Sequence, residues 1–120
     1  MQERRPELPR ERWREFFDTM TREHLGSAMT VEVLGADIGD QMDAERVPLA
    51  YLEYDAKDDQ FAIGLGGEDG RHPVVTRHAI DHPRQIMADT VQHGSVQAIE
   101  IIDEAGTRTI ITIHPAQGPA

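Results

Sequence analysis

The stretch Ser95–His114, SVQAIEIIDEAGTRTIITIH, decides the fold of this chain. Two runs in which apolar and polar residues alternate, Ser95–Asp103 and Thr107–His114, flank the tripeptide Glu104–Gly106. Alternation with a period of two is typical of β-strands, and a three-residue connection that ends in glycine is typical of a hairpin. The sequence therefore predicts an antiparallel hairpin in which Gly106 adopts the left-handed conformation.

This hairpin has two different apolar faces. The turn sets a register in which Asp103 lies opposite Thr107, Ile101 opposite Thr109, and Ile99 opposite Ile111. We assign one face to the core, and it comprises Ile99, Ile101, Ile111 and Ile113. The second face carries Val96, Ile102 and Ile110 around the pair Glu100 and Arg108. A face that meets only solvent does not need this apolar trio. The hairpin is therefore central in a closed barrel, covered by a helix, or half of a self-association surface formed by the trio.

Residues 10–25 predict an amphipathic helix. Its apolar side chains follow the 3.6-residue period of a helix and are Trp13, Phe16, Phe17 and Met20. Gly26 is a natural stop for this helix. We expect the apolar face to seal a curved sheet and to leave little room for a reactive cleft.

The middle of the chain predicts further short strands. They are residues 28–34, 47–54, 61–65 and, more weakly, 72–80, whereas 85–93 is ambiguous and Gly35–Arg46 is a polar loop. Short connections favour consecutive pairing. We predict an α+β fold in which one N-terminal helix packs on a five- or six-stranded antiparallel meander, as a bent sheet or a small SH3/Sm-like barrel. The single domain spans 10–114, between a flexible lead-in (1–9) and a disordered tail (115–120).

The charge distribution excludes several function classes. The formal net charge is −10; residues 1–25 are balanced, and the remaining 95 residues carry six basic and sixteen acidic side chains. Nucleic-acid binding normally needs a basic face, so we expect no DNA or RNA partner. No run approaches the ~18 apolar residues of a membrane span, so we expect no membrane association. The chain has no cysteine, which excludes disulfides and thiolate chemistry.

The densest polar cluster is RHAIDHPR, residues 77–84. Its candidate ligand-binding side chains are Arg77, His78, Asp81, His82 and Arg84. Imidazole with carboxylate suits zinc, iron or nickel, yet the spacing of His78 and His82 aligns two ligands only on a helix. Because Pro83 favours a strand followed by a turn, we assign no metal. A structural turn, an anion site and a metal site all remain open.

Other motifs carry no chemistry. The glycines of residues 64–70 leave one predicted strand and lead to another, with acids among them, whereas a phosphate loop leads into a helix. The acidic loops do not fit a calcium-binding pattern. Neither serine lies in a nucleophile elbow.

The chain resembles a family of small bacterial proteins catalogued only as a domain of unknown function. The features that carry this resemblance are Trp13-x-x-Phe16-Phe17, Gly35-x-x-x-Gly39, Leu49–Asp55 with Asp58-Asp59, His78-x-Ile80-x-x-Pro83-x-x-Ile86, and Ile102-Asp103-x-x-Gly106. It covers roughly residues 12–114. The resemblance implies a single domain in a bacterial cytoplasm and supplies no catalytic residue.

We therefore predict a non-catalytic, soluble binding or self-assembling module that forms a homodimer or small ring and uses no cofactor. The sequence does not identify a small-molecule or protein partner. An alternative is a small metal- or acid/base-dependent enzyme centred on His78, Asp81 and His82. A third possibility is an acidic protein that mimics phosphates towards a nucleic-acid-binding partner.

Overall fold

The computed structural model describes residues 7–35, 39–67, 74–90 and 96–114. One helical turn, Arg10–Arg12, leads into helix α1, Trp13–His24. The strands are β1 Ala28–Gly35, β2 Gly39–Asp55, β3 Gln60–Leu65, β4 Thr76–Asp81, β5 Pro83–Thr90, β6 Val96–Asp103 and β7 Arg108–Ile113. No helix in these ranges is long and apolar enough to cross a membrane.

Helix α1 buries the face that its sequence predicts. Trp13, Phe17 and Met20 are buried and Phe16 is half-buried. The helix packs on β2, where the backbone amide of Leu52 donates a hydrogen bond of 2.8 Å to the Thr21 hydroxyl. Gly26 follows the helix with a φ of 83°, the left-handed conformation that ends helices. Apolar burial and one polar tether thus fix α1 on the sheet.

The seven strands form one antiparallel sheet in the order β4-β3-β2-β1-β7-β6-β5. Strands β1 to β4 pair consecutively, as do β5 to β7, and β1 pairs with β7 to join the two runs. The strands at the two edges, β4 and β5, are neighbours in sequence. The sheet is therefore a meander whose first and last strands meet in the centre.

The sheet bends around one core. Strand β2 pairs with β1 through its first half and with β3 through its second. Ile63 of β3 and Ile99 of β6 belong to the same buried cluster although three strands, β2, β1 and β7, lie between β3 and β6 in the sheet. A single residue, His82, links the edge strands, and its φ is 53°. Long strands that bend between two parts of a sheet make such corners.

The α+β class, the N-terminal helix and the antiparallel sheet are confirmed. The predicted five or six strands are too few, because residues 83–90 form β5 and resolve the ambiguity of the 85–93 segment in favour of a strand. The predicted loop Gly35–Arg46 is wrong as well, because residues 39–46 begin β2 and pair with β1. Of the two alternatives, the strand order is that of an open sheet, since β4 does not pair with β5 among the described residues.

The C-terminal hairpin has the predicted register. Ile99 pairs with Ile111 and Ile101 with Thr109, the Asp103 amide donates to the Thr107 carbonyl oxygen, and Gly106 has a φ of 89°. All four isoleucines of the predicted core face are buried.

Residues 7–9 of the predicted lead-in contact β5, where the Leu8 amide donates to the Ile86 carbonyl at 2.8 Å. Residues 1–6 and the tail 115–120 lie outside the described residues.

Candidate functional site

A cleft of about 730 Å³ opens between β4 and the β6–β7 hairpin. It is lined by Val31, Val33, Asp43, Ile63, His78, Ala79, Ile80, Asp81, His82, Asp103, Glu104, Ala105, Thr107 and Thr109. Helix α1 contributes none of these residues. The expectation that the helix leaves little room for a cleft is therefore wrong, because α1 covers the side of the sheet at β2 and does not reach this end.

The cleft joins an apolar floor to an acidic rim. Val31 and Ile63 are both 1% exposed, and they lie on the inward faces of β1 and β3. The lining includes four acidic residues, Asp43, Asp81, Asp103 and Glu104, and none of the described lining residues is lysine or arginine. The Asp81 carboxylate also accepts from Gln60, and the Asp103 carboxylate accepts from the Thr107 amide. Apolar walls with a few polar groups are typical of ligand sites.

A contact between Asp43 and His78 crosses the cleft. The His78 imidazole Nδ1 lies 4.0 Å from the Asp43 carboxylate Oδ2. On its other side lies a second cleft of about 470 Å³ that shares both residues. Its lining adds Ala44, Glu45, Val47, Leu65, Val74 and Thr76. The two clefts together follow the length of β4.

Beside the larger cleft, whose lining includes His82, four side chains form a cluster that we call the Asp59 cluster: Arg10, Tyr54, Asp59 and His82. The Tyr54 hydroxyl donates to Asp59 Oδ1 at 2.7 Å and accepts from Arg10 Nη1 at 3.0 Å. Arg10 also donates to Asp59 Oδ1 at 3.1 Å and to the Pro83 carbonyl at 3.0 Å. The His82 Nδ1 lies 3.2 Å from Asp59 Oδ2. The cluster ties the segment before α1 to both ends of the sheet.

The cluster shifts the acidity of its members. The hydrogen bond from Tyr54 lowers the pKa of Asp59, because it stabilises the carboxylate. Burial and the adjacent carboxylate raise the pKa of Tyr54. The Asp59 carboxylate raises the pKa of His82, since a negative partner favours the imidazolium. These shifts favour an ion pair between Asp59 and His82.

The predicted ligand-binding residues divide between different places. His78, Asp81 and His82 line the larger cleft. Arg77 points to the opposite face of β4, where it donates to Glu53 at 2.7 Å and to Gln60 at 3.0 Å. The Asp81 carboxylate accepts from the Gln60 amide at 2.7 Å. Arg84 lines a separate polar recess of about 340 Å³ beside the Asp59 cluster.

The predicted self-association residues lie on the outer face of the sheet. Ile102 and Ile110 are half-buried there. Between them, Glu100 is 5% exposed and accepts from Arg108 Nε at 2.6 Å. Val96 belongs to β6, but its side chain lies outside the described residues. Self-association through this face stays a prediction.

Sequence reasoning missed two parts of the site. Asp43 lies in the segment Gly35–Arg46, which the sequence predicts as a polar loop, and its position near His78 follows from the pairing of β2 with β1. Within the Asp59 cluster, the bonded side chains of Arg10 and Asp59 lie 49 residues apart in sequence, and Arg10 and His82 lie still further apart. No sequence pattern within one segment indicates either the contact between Asp43 and His78 or the Asp59 cluster.

Within the described ranges, no three histidine, aspartate or glutamate side chains come together as metal ligands. The imidazoles and carboxylates of the cleft are thus spread along its rim. This arrangement can hold a ligand by charge and by apolar contact.

The chain matches the family described as "Family of unknown function (DUF5335)" over residues 4–119 and belongs to it. It is 35% identical to an uncharacterized protein of Aquifex aeolicus (strain VF5) over 109 residues, which is 91% of each chain. No solved structure matches. The resemblance inferred from the sequence is confirmed, and neither comparison indicates catalysis or a specific function.

Proposed function

We propose that this member of the family is a non-catalytic binding module whose larger cleft takes a positively charged ligand with an apolar body. The observation that carries the proposal is the composition of the cleft, which sets four carboxylates around the floor formed by Val31 and Ile63. A cytoplasmic setting, implied by the family resemblance, is part of the same proposal.

The acidic residues at the rim of the cleft indicate that the ligand is positively charged. Asp43 is exposed, and its carboxylate Oδ2 lies 4.0 Å from the His78 imidazole Nδ1. Without a described lysine or arginine in the lining, an anion entering the cleft meets only like charge and two imidazoles. A cation is attracted both by the rim and by the net charge of −10.

The apolar residues at the floor of the cleft indicate that the ligand has an apolar body. Side chains of Val31, Val33, Ile63 and Ile80 supply the apolar part of the lining. Each Å² of apolar ligand surface that leaves water here contributes about 25 cal/mol. A ligand of roughly ten apolar atoms fits easily in about 730 Å³.

The test uses cyclohexylmethylamine as the cation and cyclohexylmethanol as the uncharged control. Titration of the ¹⁵N-labelled protein is followed by amide shifts in NMR spectra. We expect the amine to shift residues around Val31, His78 and Thr107, and the alcohol to bind at least about fivefold more weakly. Asp43→Asn should weaken amine binding, whereas Asp40→Asn on the same strand, outside the cleft, should not.

Equal binding of amine and alcohol would overturn the charge argument. Shifts confined to residues outside the cleft would overturn the site itself. Because both probes share one apolar body, the comparison isolates the contribution of the charge.

A further inference from the structure

We infer that the ligand is an extended, positively charged peptide segment that pairs with the free edge of β4. The inference rests on the proposed function and deepens it, since it names the class of the cation. Its support comes from the position of β4 in the sheet, from the way β4 borders the cleft, and from the charges along its length.

Strand β4 is an edge strand whose free side faces the cleft. Its partner in the sheet is β3, with Ile63 paired to His78 and Ala62 paired to Ala79. Among the described residues no strand pairs with its other side. An edge strand presents unpaired N–H and C=O groups in a row, and an added strand can satisfy them.

The lining of the cleft shows that the free edge borders it. Five successive residues, 78–82, line the larger cleft. Successive side chains of a strand point to opposite faces of the sheet. Residues 78–81 belong to β4, and a cleft that touches successive strand residues of both orientations is consistent with a course along the strand edge, where the backbone is accessible.

The other edge strand differs from β4. The Leu8 amide donates to the Ile86 carbonyl of β5 at 2.8 Å, and Glu7 pairs with Met87. The chain therefore partly covers β5 with its own backbone. Among the described residues, no such segment covers the free edge of β4, which borders the cleft instead.

The length of the groove fits a short peptide. The two clefts share Asp43 and His78, so the groove extends from Val74 to His82. A strand advances about 3.3 Å per residue, so this span accommodates roughly eight or nine extended residues, and a heptapeptide fits within it. Val74 lines the smaller cleft and is 74% exposed, so it provides an apolar contact at one end of the groove.

The charges along the groove indicate that the bound peptide is positively charged. The groove is lined by five carboxylates, which belong to Asp43, Glu45, Asp81, Asp103 and Glu104. In a peptide that alternates valine and lysine, the valines can face the apolar floor while the lysines reach the rim, because strand side chains alternate. An acidic peptide of the same pattern meets repulsion along the whole groove.

The test uses the heptapeptide acetyl-KVKVKVK-amide with isothermal titration calorimetry on the full chain. Two matched peptides serve as controls, one with N-methylated valines, which lack backbone donors, and one with glutamate in place of lysine. We expect the N-methylated peptide to bind at least about tenfold more weakly, because it loses strand hydrogen bonds, and the glutamate peptide to show no binding. NMR shifts should lie along residues 76–81.

A substitution tests the edge from the protein side. Ala79→Lys places a cation on the exposed edge of β4 and should weaken peptide binding at least tenfold, while Ala56→Lys in the distant β2–β3 turn should leave it unchanged. Both positions are exposed, and an unfolding curve for each variant verifies the fold.

The outcomes separate the two proposals. If the amine probe binds the cleft but the N-methylated and unmodified peptides bind equally, strand addition is overturned and the proposed function stands. If neither the amine nor the peptide binds, both are overturned.

Discussion

The backbone amide of His82 donates to the Asp59 carbonyl at 2.9 Å, while the His82 imidazole lies 3.2 Å from the Asp59 carboxylate. Both residues have positive φ, 49° for Asp59 and 53° for His82. Backbone in this region is uncommon for residues other than glycine, and such strain concentrates at functional or tightly determined positions. The backbone and side-chain contacts between Asp59 and His82 therefore stabilise both the turn after β2 and the link between β4 and β5.

The Asp59–His82 pair should make stability depend on pH. The pKa of His82 is raised above 6.5, so its contribution is complete below about 6.5 and is lost as the pH rises through the folded-state pKa. The pKa of Asp59 is lowered below 3.8, so its contribution is present above about 3.8 and is lost as the pH falls through the folded-state pKa. Between these limits the pair contributes fully.

The measurement is urea unfolding of the wild type and of His82→Asn from pH 3 to pH 9. Asparagine tolerates positive φ and removes the imidazole. The difference in the free energy of unfolding should be largest between about pH 4 and 6.5 and should shrink at higher pH. A difference that stays constant from pH 5 to pH 9 would show that the ion pair does not stabilise the fold.

Phe17→Ala should destabilise the domain more than any exposed substitution on α1. The Phe17 ring is 0% exposed and lies 4.8 Å from the Phe61 ring, centroid to centroid. Removing a buried phenylalanine side chain costs about 3–5 kcal/mol. Phe16→Ala, at a half-buried neighbour, should cost clearly less in the same urea experiment. Equal losses would contradict the docking of α1 through Phe17.

Gly64 makes room for an aromatic ring. A Cβ at this position would collide with the ring of Tyr51, which lies opposite it in the β2–β3 pair. Gly64→Ala should cost about 1–3 kcal/mol, because the ring must move. In a Tyr51→Ala background the same change should cost less than half as much. Additive losses would show that the ring does not need the glycine.

If the protein self-associates through the outer face of the sheet, as we predict, light scattering after size exclusion should detect a dimer or small ring. Ile110→Arg should lower the measured mass, because it places a cation in the apolar surface that includes Ile102. Leu25→Arg is the control, since Leu25 is 61% exposed at the end of α1 and away from this face. A wild-type monomer at all micromolar concentrations contradicts the prediction.

The sequence predicts those elements whose geometry is set locally. Gly106 fixes the hairpin register over a few residues, and the spacing of Trp13 and Phe17 fixes the helix face. Residues 39–46 escaped detection because both faces of this ribbon are mostly exposed, which removes the alternation that marks a strand. Strand β5 was ambiguous for a related reason, since PRQIMADT does not alternate strictly.

The cleft and the Asp59 cluster depend on distant pairing. Asp43 meets His78 because β2 pairs with β1 before it crosses to β3. Arg10 meets Pro83 across 73 residues of sequence. A contact of this kind follows from the topology of the whole sheet, so no motif within one segment can indicate it.

The pairing of β1 with β7 has a kinetic consequence. Thr30 and His114, at the ends of these central strands, are hydrogen-bonded although 84 residues apart in sequence. During synthesis on the ribosome, β1 therefore emerges long before β7, its second neighbour in the sheet. Such non-local closure slows folding, and the apolar surface of the nascent hairpin β1–β2 stays accessible to chaperones until the final strand arrives.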